Sequence, residues 1–310
     1  MMRSFLRDDD LTAAEQAQVL DLAAALKAAP YERKPLAGPR TVATIYDKPT
    51  LRTQSSFAAG IAELGGHPML VDGGLAGIGV RESVADVARV LGRQASMIVW
   101  RTYEQTRLEE MMRYAGVPVV NALTDEFHPC QLLADLLTIR EHKGTLAGLT
   151  VAFLGDAACN MGNSWALAGA TAGMHVRFGA PEGYAPDAEV LAKAARIGEE
   201  TGGSVQVVTD APTAVAAADV LVTDTWVSMG KEDEAAERIA VFSPYALTRT
   251  LLAKAEPDAI VLHCLPAYRG KEIEAEVIDG PHSVVWDEAE NRRHAQKAIL
   301  TFLAEHLERG

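Results

Sequence analysis

The sequence predicts an α/β protein of two doubly wound parallel-sheet domains, and three observations predict it. Short apolar runs alternate with amphipathic helical stretches along the whole chain, the rhythm of βαβ units whose helices cover both faces of a parallel sheet. The rhythm breaks at Lys143-Gly144-Thr145-Leu146-Ala147-Gly148 and then begins afresh. The 310 residues, 48% of them hydrophobic, are enough for two packed cores at ~150 residues per domain. The break separates a first domain over residues 1–145 from a second over 146–290.

Each element follows from local pattern. Thr12 and Glu15 read as a capping box, and Val19, Leu22, Ala23 and Leu26 recur at helical spacing, so a first helix runs up to Pro30. A strand over Thr41–Tyr46 leads to a helix over 55–64, stopped by Gly65-Gly66, and to a strand over 67–71. A helix over 82–91 carries Val84, Val87, Ala88 and Leu91 on one face. Strands over 97–100 and 117–121 flank another helical stretch, and a long helix follows over 129–141. The second half repeats the rhythm with strands over Thr150–Leu154, 175–178, Ser204–Val208, Val220–Thr223, 259–263 and 283–286, and an Ala-rich helix over 211–218. The two units are thus Rossmann-like. The last helix, over 291–307, fits either half by its pattern and is assigned, as residues 291–310, to the first domain.

Composition excludes whole classes of function. A net charge of −13 opposes the basic footprint that nucleic-acid binding needs, so no nucleic-acid partner is expected. The start, Met1-Met2-Arg3-Ser4-Phe5-Leu6, runs into Arg7-Asp8-Asp9-Asp10, which forms no secretory apolar core, and no stretch approaches ~20 apolar residues. A soluble, cytoplasmic protein without membrane contact is expected. Cys130, Cys159 and Cys264 are odd in number and lack C-x-x-C spacing, which argues against a disulfide framework or a zinc ribbon.

Open parallel sheets bind ligands beyond the carboxyl ends of their strands, where helix N-termini offer free N–H groups. In the first half, Asp47-Lys48-Pro49-Thr50-Leu51-Arg52-Thr53 follows a strand and brings hydroxyls and cations to a helix start. That equipment suits a phosphate dianion, although a threonine cap beside a solvated arginine explains the segment equally well. It is no Walker loop, because G-x-x-x-x-G-K-[ST] is absent. Trp100-Arg101-Thr102 and Asp125-Glu126-Phe127-His128-Pro129-Cys130-Gln131 end two further strands of the same half. In the second half, Gly155-Asp156-Ala157-Ala158-Cys159-Asn160-Met161 lacks the G-x-G-x-x-G of a dinucleotide site. Asp224 and Trp226-Val227-Ser228-Met229-Gly230 follow one strand, and His263-Cys264-Leu265-Pro266 another. A carboxylate and an amide there can hold an amino acid's two charged groups, and a thiol can share a proton. The competing explanations are a helix cap for Asp224 and a small buried apolar residue for Cys264.

The combination of Thr50-Leu51-Arg52-Thr53, His128-Pro129-Cys130-Gln131, Asp224 with Ser228-Met229-Gly230, and His263-Cys264-Leu265-Pro266 resembles the ornithine carbamoyltransferases over nearly the whole chain. The resemblance implies a carbamoyltransferase architecture that moves the carbamoyl group of carbamoyl phosphate to the δ-amine of L-ornithine, giving citrulline and phosphate for arginine biosynthesis. It implies carbamoyl phosphate at Thr50, Leu51, Arg52, Thr53, Arg101, His128, Pro129, Cys130, Gln131, Cys264, Leu265 and Arg292, and ornithine at Asn160, Asp224, Ser228 and Met229. The catalytic group it implies is Arg101, His128, Asp224 and Cys264. It calls for no metal and no organic cofactor, and implies a homotrimer whose sites are completed by a neighbour's loop.

The chain departs from the common pattern at Gln54, where many relatives carry a second arginine, at Gly77 in the neighbour loop, at Cys159 and at Tyr268. Arg81 is a candidate to supply the neighbour contact. Three other readings stay open on the sequence. A shifted acceptor such as lysine, putrescine or acetylornithine is opposed by Ser228-Met229-Gly230 and Asn160. A nicotinamide-dependent dehydrogenase fits the fold without its glycine fingerprint. A non-catalytic paralogue is suggested by Gln54 and Gly77 and opposed by Arg52, His128, Asp224 and Cys264.

Overall fold

A computed structural model describes residues 3–227 and 232–307. The chain divides into two compact units, Met1–Leu137 with Glu290–Gly310, and Thr138–Ala289.

In the first unit, α1 (Ala13–Ala28) starts at Thr12, which accepts from the Glu15 amide while Glu15 accepts from the Thr12 amide. There follow β1 (Thr41–Tyr46), α2 (Arg52–Glu63), β2 (His67–Asp72), a one-turn α3 (Gly73–Ala76), α4 (Val84–Gln94), β3 (Met97–Arg101), α5 (Gln105–Ala115), β4 (Val119–Leu123) and α6 (Pro129–Lys143). The four strands are parallel in the order β2-β1-β3-β4. Their inner residues are buried with α4 and α5 side chains, among them Ile45, Ile98, Trp100, Leu108 and Met111. Burying each such side chain is worth about 1.5–3 kcal/mol.

The second unit contains β5 (Thr150–Leu154), α7 (Asn160–Thr171), β6 (His175–Gly179), α8 (Ala188–Thr201), β7 (Ser204–Val208), α9 (Ala211–Val215), β8 (Val220–Thr223), α10 (Ala235–Phe242), α11 (Arg249–Leu252), β9 (Ile260–Leu262) and α12 (Ala275–Ile278). Its sheet is parallel in the order β7-β6-β5-β8-β9. The last helix, α13 (Val285–Leu307), starts in this unit and ends in the first. The observed architecture is the predicted pair of doubly wound parallel sheets.

Several expected bounds are corrected. The strand expected over 283–286 is absent: Ser283 makes one isolated bridge to Val261, and α13 has already begun at Val285. The β-branched pair Val284-Val285 carries strand propensity, but the chain turns into a helix that leaves Trp286 62% exposed. The helix expected over 211–218 stops at Val215, because Ala217 takes a left-handed φ of 50° that no helix continues through. β4 starts at Val119 rather than at 117, since Pro118 has no N–H and offers β3 only its carbonyl. α2 starts at Arg52 rather than at 55, as the Thr53 amide donates to the Thr50 hydroxyl and the Ser55 amide to the Leu51 carbonyl. β9 is shorter than expected, Ile260–Leu262, and leaves His263 beyond the strand end.

Candidate active site

Each sheet has one place where its strand order reverses, and polar residues gather at both. In the first unit the chain goes from β1 to β2 on one side and returns to β3 on the other, which opens a crevice beyond the carboxyl ends of β1 and β3. Thr50–Thr53 lies after β1, and Arg101 closes β3. Asp47 pins the two ends together: its amide donates to the Arg101 carbonyl at 2.9 Å, and its Oδ2 accepts from the Thr102 hydroxyl at 2.6 Å and the Trp100 indole at 3.1 Å.

The Thr53 hydroxyl is the centre of this edge. It accepts from Arg101 Nη1 at 3.4 Å and from Arg292 Nη2 at 3.1 Å, and Arg292 Nη1 donates to Gln131 Oε1 at 2.7 Å. Arg101, Thr53, His128, Gln131 and Arg292 are all buried, and Arg52 is half-buried at the helix start. Burial, then the charges of Arg292 and Arg101, hold the His128 imidazole well below its usual value, so it is neutral at physiological pH. A neutral imidazole can donate a hydrogen bond from its ring N–H without carrying charge. Pro129 opens α6. Cys130 is turned away: its thiol donates to the Asn121 carbonyl at 3.3 Å, and burial pushes it up to about 12. Leu51 projects outward, 77% exposed. The long-range contacts of Arg292, which is distant in sequence from the strand-end motifs, explain its place in the group.

In the second unit the reversal lies between β5 and β8. Asn160 opens α7 and Cys159 caps it, the Cys159 thiol donating to the Asp156 carbonyl at 3.2 Å, with burial pushing that thiol well above its usual range. Asp224 Oδ1 accepts from the Thr225 amide at 2.7 Å and from Cys264 Sγ at 3.2 Å. The helix-cap explanation of Asp224 falls away, since among the described residues no helix begins within its reach. Cys264 is half-buried with its thiol on a carboxylate, which removes the apolar explanation as well. Ser228 and Met229 lie outside the described residues.

The His263–Leu265 segment is held from behind. His263 Nδ1 accepts from the Leu265 amide at 2.9 Å, which places the ring proton on Nε2, facing Glu272 Oε1 at 3.3 Å. The His263 amide donates to Glu288 at 2.8 Å. Leu265 has a φ of 59°, a left-handed conformation that a leucine adopts only when its surroundings impose it. Asp224, His263 and Cys264 bring potential metal ligand atoms within 4.8 Å of one another, but both ring nitrogens of His263 and the Cys264 thiol are already engaged as described.

Sequence reasoning missed Asp47, Asp156, Arg238, Glu272 and Glu288. Asp156 and Arg238 form a buried ion pair, and Arg238 Nε donates to the Trp226 carbonyl at 2.5 Å. Trp226 in turn packs on Gly155, where φ is 106° and an added Cβ would lie 2.7 Å from the indole nitrogen. None of these pairings has a short-range signal in the chain.

Comparisons with known proteins identify the family. Residues 3–141 match the carbamoyl-P binding domain of the aspartate/ornithine carbamoyltransferases, and residues 147–303 their Asp/Orn binding domain. The chain belongs to the aspartate/ornithine carbamoyltransferase family. It is 61% identical over 303 residues to the ornithine carbamoyltransferase of Clavibacter michiganensis subsp. michiganensis, covering 98% of this chain and 99% of that one. The solved ornithine carbamoyltransferase from Pyrococcus furiosus superposes with a TM-score of 0.92 at 43% identity, covering 96% of each chain. The anabolic ornithine carbamoyltransferase from Campylobacter jejuni superposes with a TM-score of 0.92 at 35% identity, covering 98% of this chain and 100% of that one.

Proposed function

We propose that this enzyme's ornithine carbamoyltransferase activity is divided between the two polar edges, the first holding carbamoyl phosphate and the second presenting ornithine. The observation that carries the reading is the convergence of Arg101 and Arg292 on the Thr53 hydroxyl at the start of α2. Amides and hydroxyls of Thr50–Thr53, with Arg52 and Arg101, take the phosphate oxygens, and Gln131 takes the carbamoyl amide. Thr53, Arg101 and neutral His128 donate to the carbonyl oxygen, where charge builds in the tetrahedral intermediate. Arg292 braces Thr53 and Gln131 from behind and adds positive charge.

Ornithine is held by its α-carboxylate at Asn160 and the Met229 backbone, and by its α-ammonium at Asp224 and Ser228. A free alkylammonium has a pKa of ~10.4, so the δ-nitrogen must lose a proton before it attacks. The Cys264–Asp224 pair, 3.2 Å apart, receives that proton. The N–C bond forms first, giving the tetrahedral intermediate, and its collapse breaks the C–O bond to phosphate, which leaves with the second amine proton. Purified protein given both substrates releases citrulline and phosphate in equal amounts; phosphate release without citrulline would sink the division of labour.

The assembly is a homotrimer in which a neighbour's 77–82 segment completes each first-unit edge. Leu51, Leu75 and Val80, at 77%, 82% and 93% exposure, support this, being large apolar side chains left bare around that edge. A fully active monomer by sedimentation velocity would overturn it. The role is arginine biosynthesis in the cytoplasm, supported by the likeness to the anabolic Campylobacter enzyme and by three free thiols. Among the described residues, no helix is long and apolar enough to cross a membrane.

A further inference from the structure

Gln131 sits between two groups of opposite hydrogen-bonding character. Its Oε1 accepts from Arg292 at 2.7 Å, and its Nε2 donates to Asp135 Oδ1 at 2.8 Å, one helical turn further along α6. A guanidinium only donates and an ionised carboxylate only accepts, so this pair of neighbours admits one orientation of the amide. Both Gln131 and Asp135 are fully buried, where rotating the amide would set N–H against N–H and oxygen against oxygen at low dielectric. From there the network continues: Arg292 donates to the Thr53 hydroxyl, which also accepts from the Arg101 guanidinium.

We infer that Asp135 is a positioning residue for the carbamoyl phosphate edge: it fixes the Gln131 amide so that the oxygen is available to the cradle, and through Gln131 it holds Arg292 on Thr53. Asp135 touches no substrate in this arrangement. The inference rests on carbamoyl phosphate occupying this edge.

The test is Asp135→Asn, measured on the full-length enzyme with each substrate varied in turn. Asparagine keeps the shape but presents a donor as well as an acceptor, so the Gln131 amide is no longer held one way. The KM for carbamoyl phosphate rises about tenfold to a hundredfold, the weight of one charge-assisted hydrogen bond, while the KM for ornithine stays within about twofold. In a Gln131→Ala background the same substitution has no further effect on carbamoyl phosphate, because the residue through which it acts is gone. Asp135→Ser is the second variant if the first misfolds, and it gives the same split. Equal changes in both KM values, a full effect persisting in the Gln131→Ala background, or loss of folding in both variants would overturn the inference and leave Asp135 a structural residue. Failure of the underlying function reading looks different: wild-type enzyme would then form no citrulline.

Discussion

Replacing Arg292 with methionine probes the first-unit edge at its most connected point. The substitution keeps most of the side-chain volume but removes the donors that reach Gln131 at 2.7 Å and Thr53 at 3.1 Å. Each loss inside a buried site is worth about 1–3 kcal/mol, and a cation near the phosphate is lost with them. Together these amount to about 3–5 kcal/mol, or roughly two to four powers of ten in kcat/KM for carbamoyl phosphate. A second consequence is independent of the first. Arg292 is the largest charge holding the His128 imidazole down, after burial, so removing it lets that imidazole take up a proton at higher pH than in wild type. The acid limb of the kcat/KM profile therefore moves to higher pH. Initial rates of citrulline formation, with carbamoyl phosphate varied across the pH range, report both effects. A change in kcat/KM below about threefold, or an acid limb that stays where it is in wild type, would refute the placing of Arg292 behind Thr53 and beside His128.

Other predictions follow from the second unit and from the buried histidines. Cys264→Ala lowers kcat by about two to four powers of ten with unchanged thermal unfolding, since it removes the thiol on Asp224 and little packing; unchanged turnover at neutral pH would take the thiol out of proton transfer. Asp156→Ala removes the buried partner of Arg238 and leaves its charge only the more exposed Glu234 at 3.4 Å, at a cost of about 3 kcal/mol, which calorimetry reads as a drop in Tm of order 10 °C; a drop of a degree or two would mean the pair is dispensable. His294, buried on α13, is held down to about 4 by burial and then by the charge of Arg293. An imidazole depressed in the folded state is neutral there while the unfolded chain takes up a proton, so stability is full above about pH 6.5 and falls as pH drops toward 4. His128 is shifted in the same direction. Denaturant unfolding from pH 7 to 4 should show a loss of about 3 kcal/mol from His294 alone, which His294→Gln reduces; a flat profile contradicts the assignment.

Much of the fold was legible because it is written in short-range pattern. Thr41–Tyr46 and Thr150–Leu154 are continuous apolar runs between polar turns, and the capping box of Thr12 and Glu15 is a four-residue signal. The candidate site was legible for a different reason: parallel sheets gather ligand groups at their carboxyl ends, so Thr53, Arg101, Asp224 and Cys264 stand out once the strands are placed. What was not legible depends on contacts made across the chain. Arg238 and Asp156 are 82 residues apart, and nothing local marks them as partners. The same holds for Glu272 behind His263, whose role appears only when the chain after Pro266 turns back. Val284-Val285 misled because β-branched residues favour a strand intrinsically, while the helix that begins there is set by its packing. Asp135 is the intermediate case, since its spacing of four from Gln131 on a helix was available but carried no motif.

The central claim is that one edge reads carbamoyl phosphate and the other reads ornithine by its α-amino acid group and δ-amine. The most direct test compares kcat/KM at saturating carbamoyl phosphate for ornithine, lysine, putrescine, acetylornithine and aspartate. A site that hydrogen-bonds both α-groups rejects analogues that lack one of them by about two powers of ten or more. The account predicts that ornithine leads by at least that margin, with citrulline as the product. A lead for putrescine or acetylornithine, which lack a free α-carboxylate or a free α-amine, would contradict the assignment of Asn160 and Asp224 to those groups.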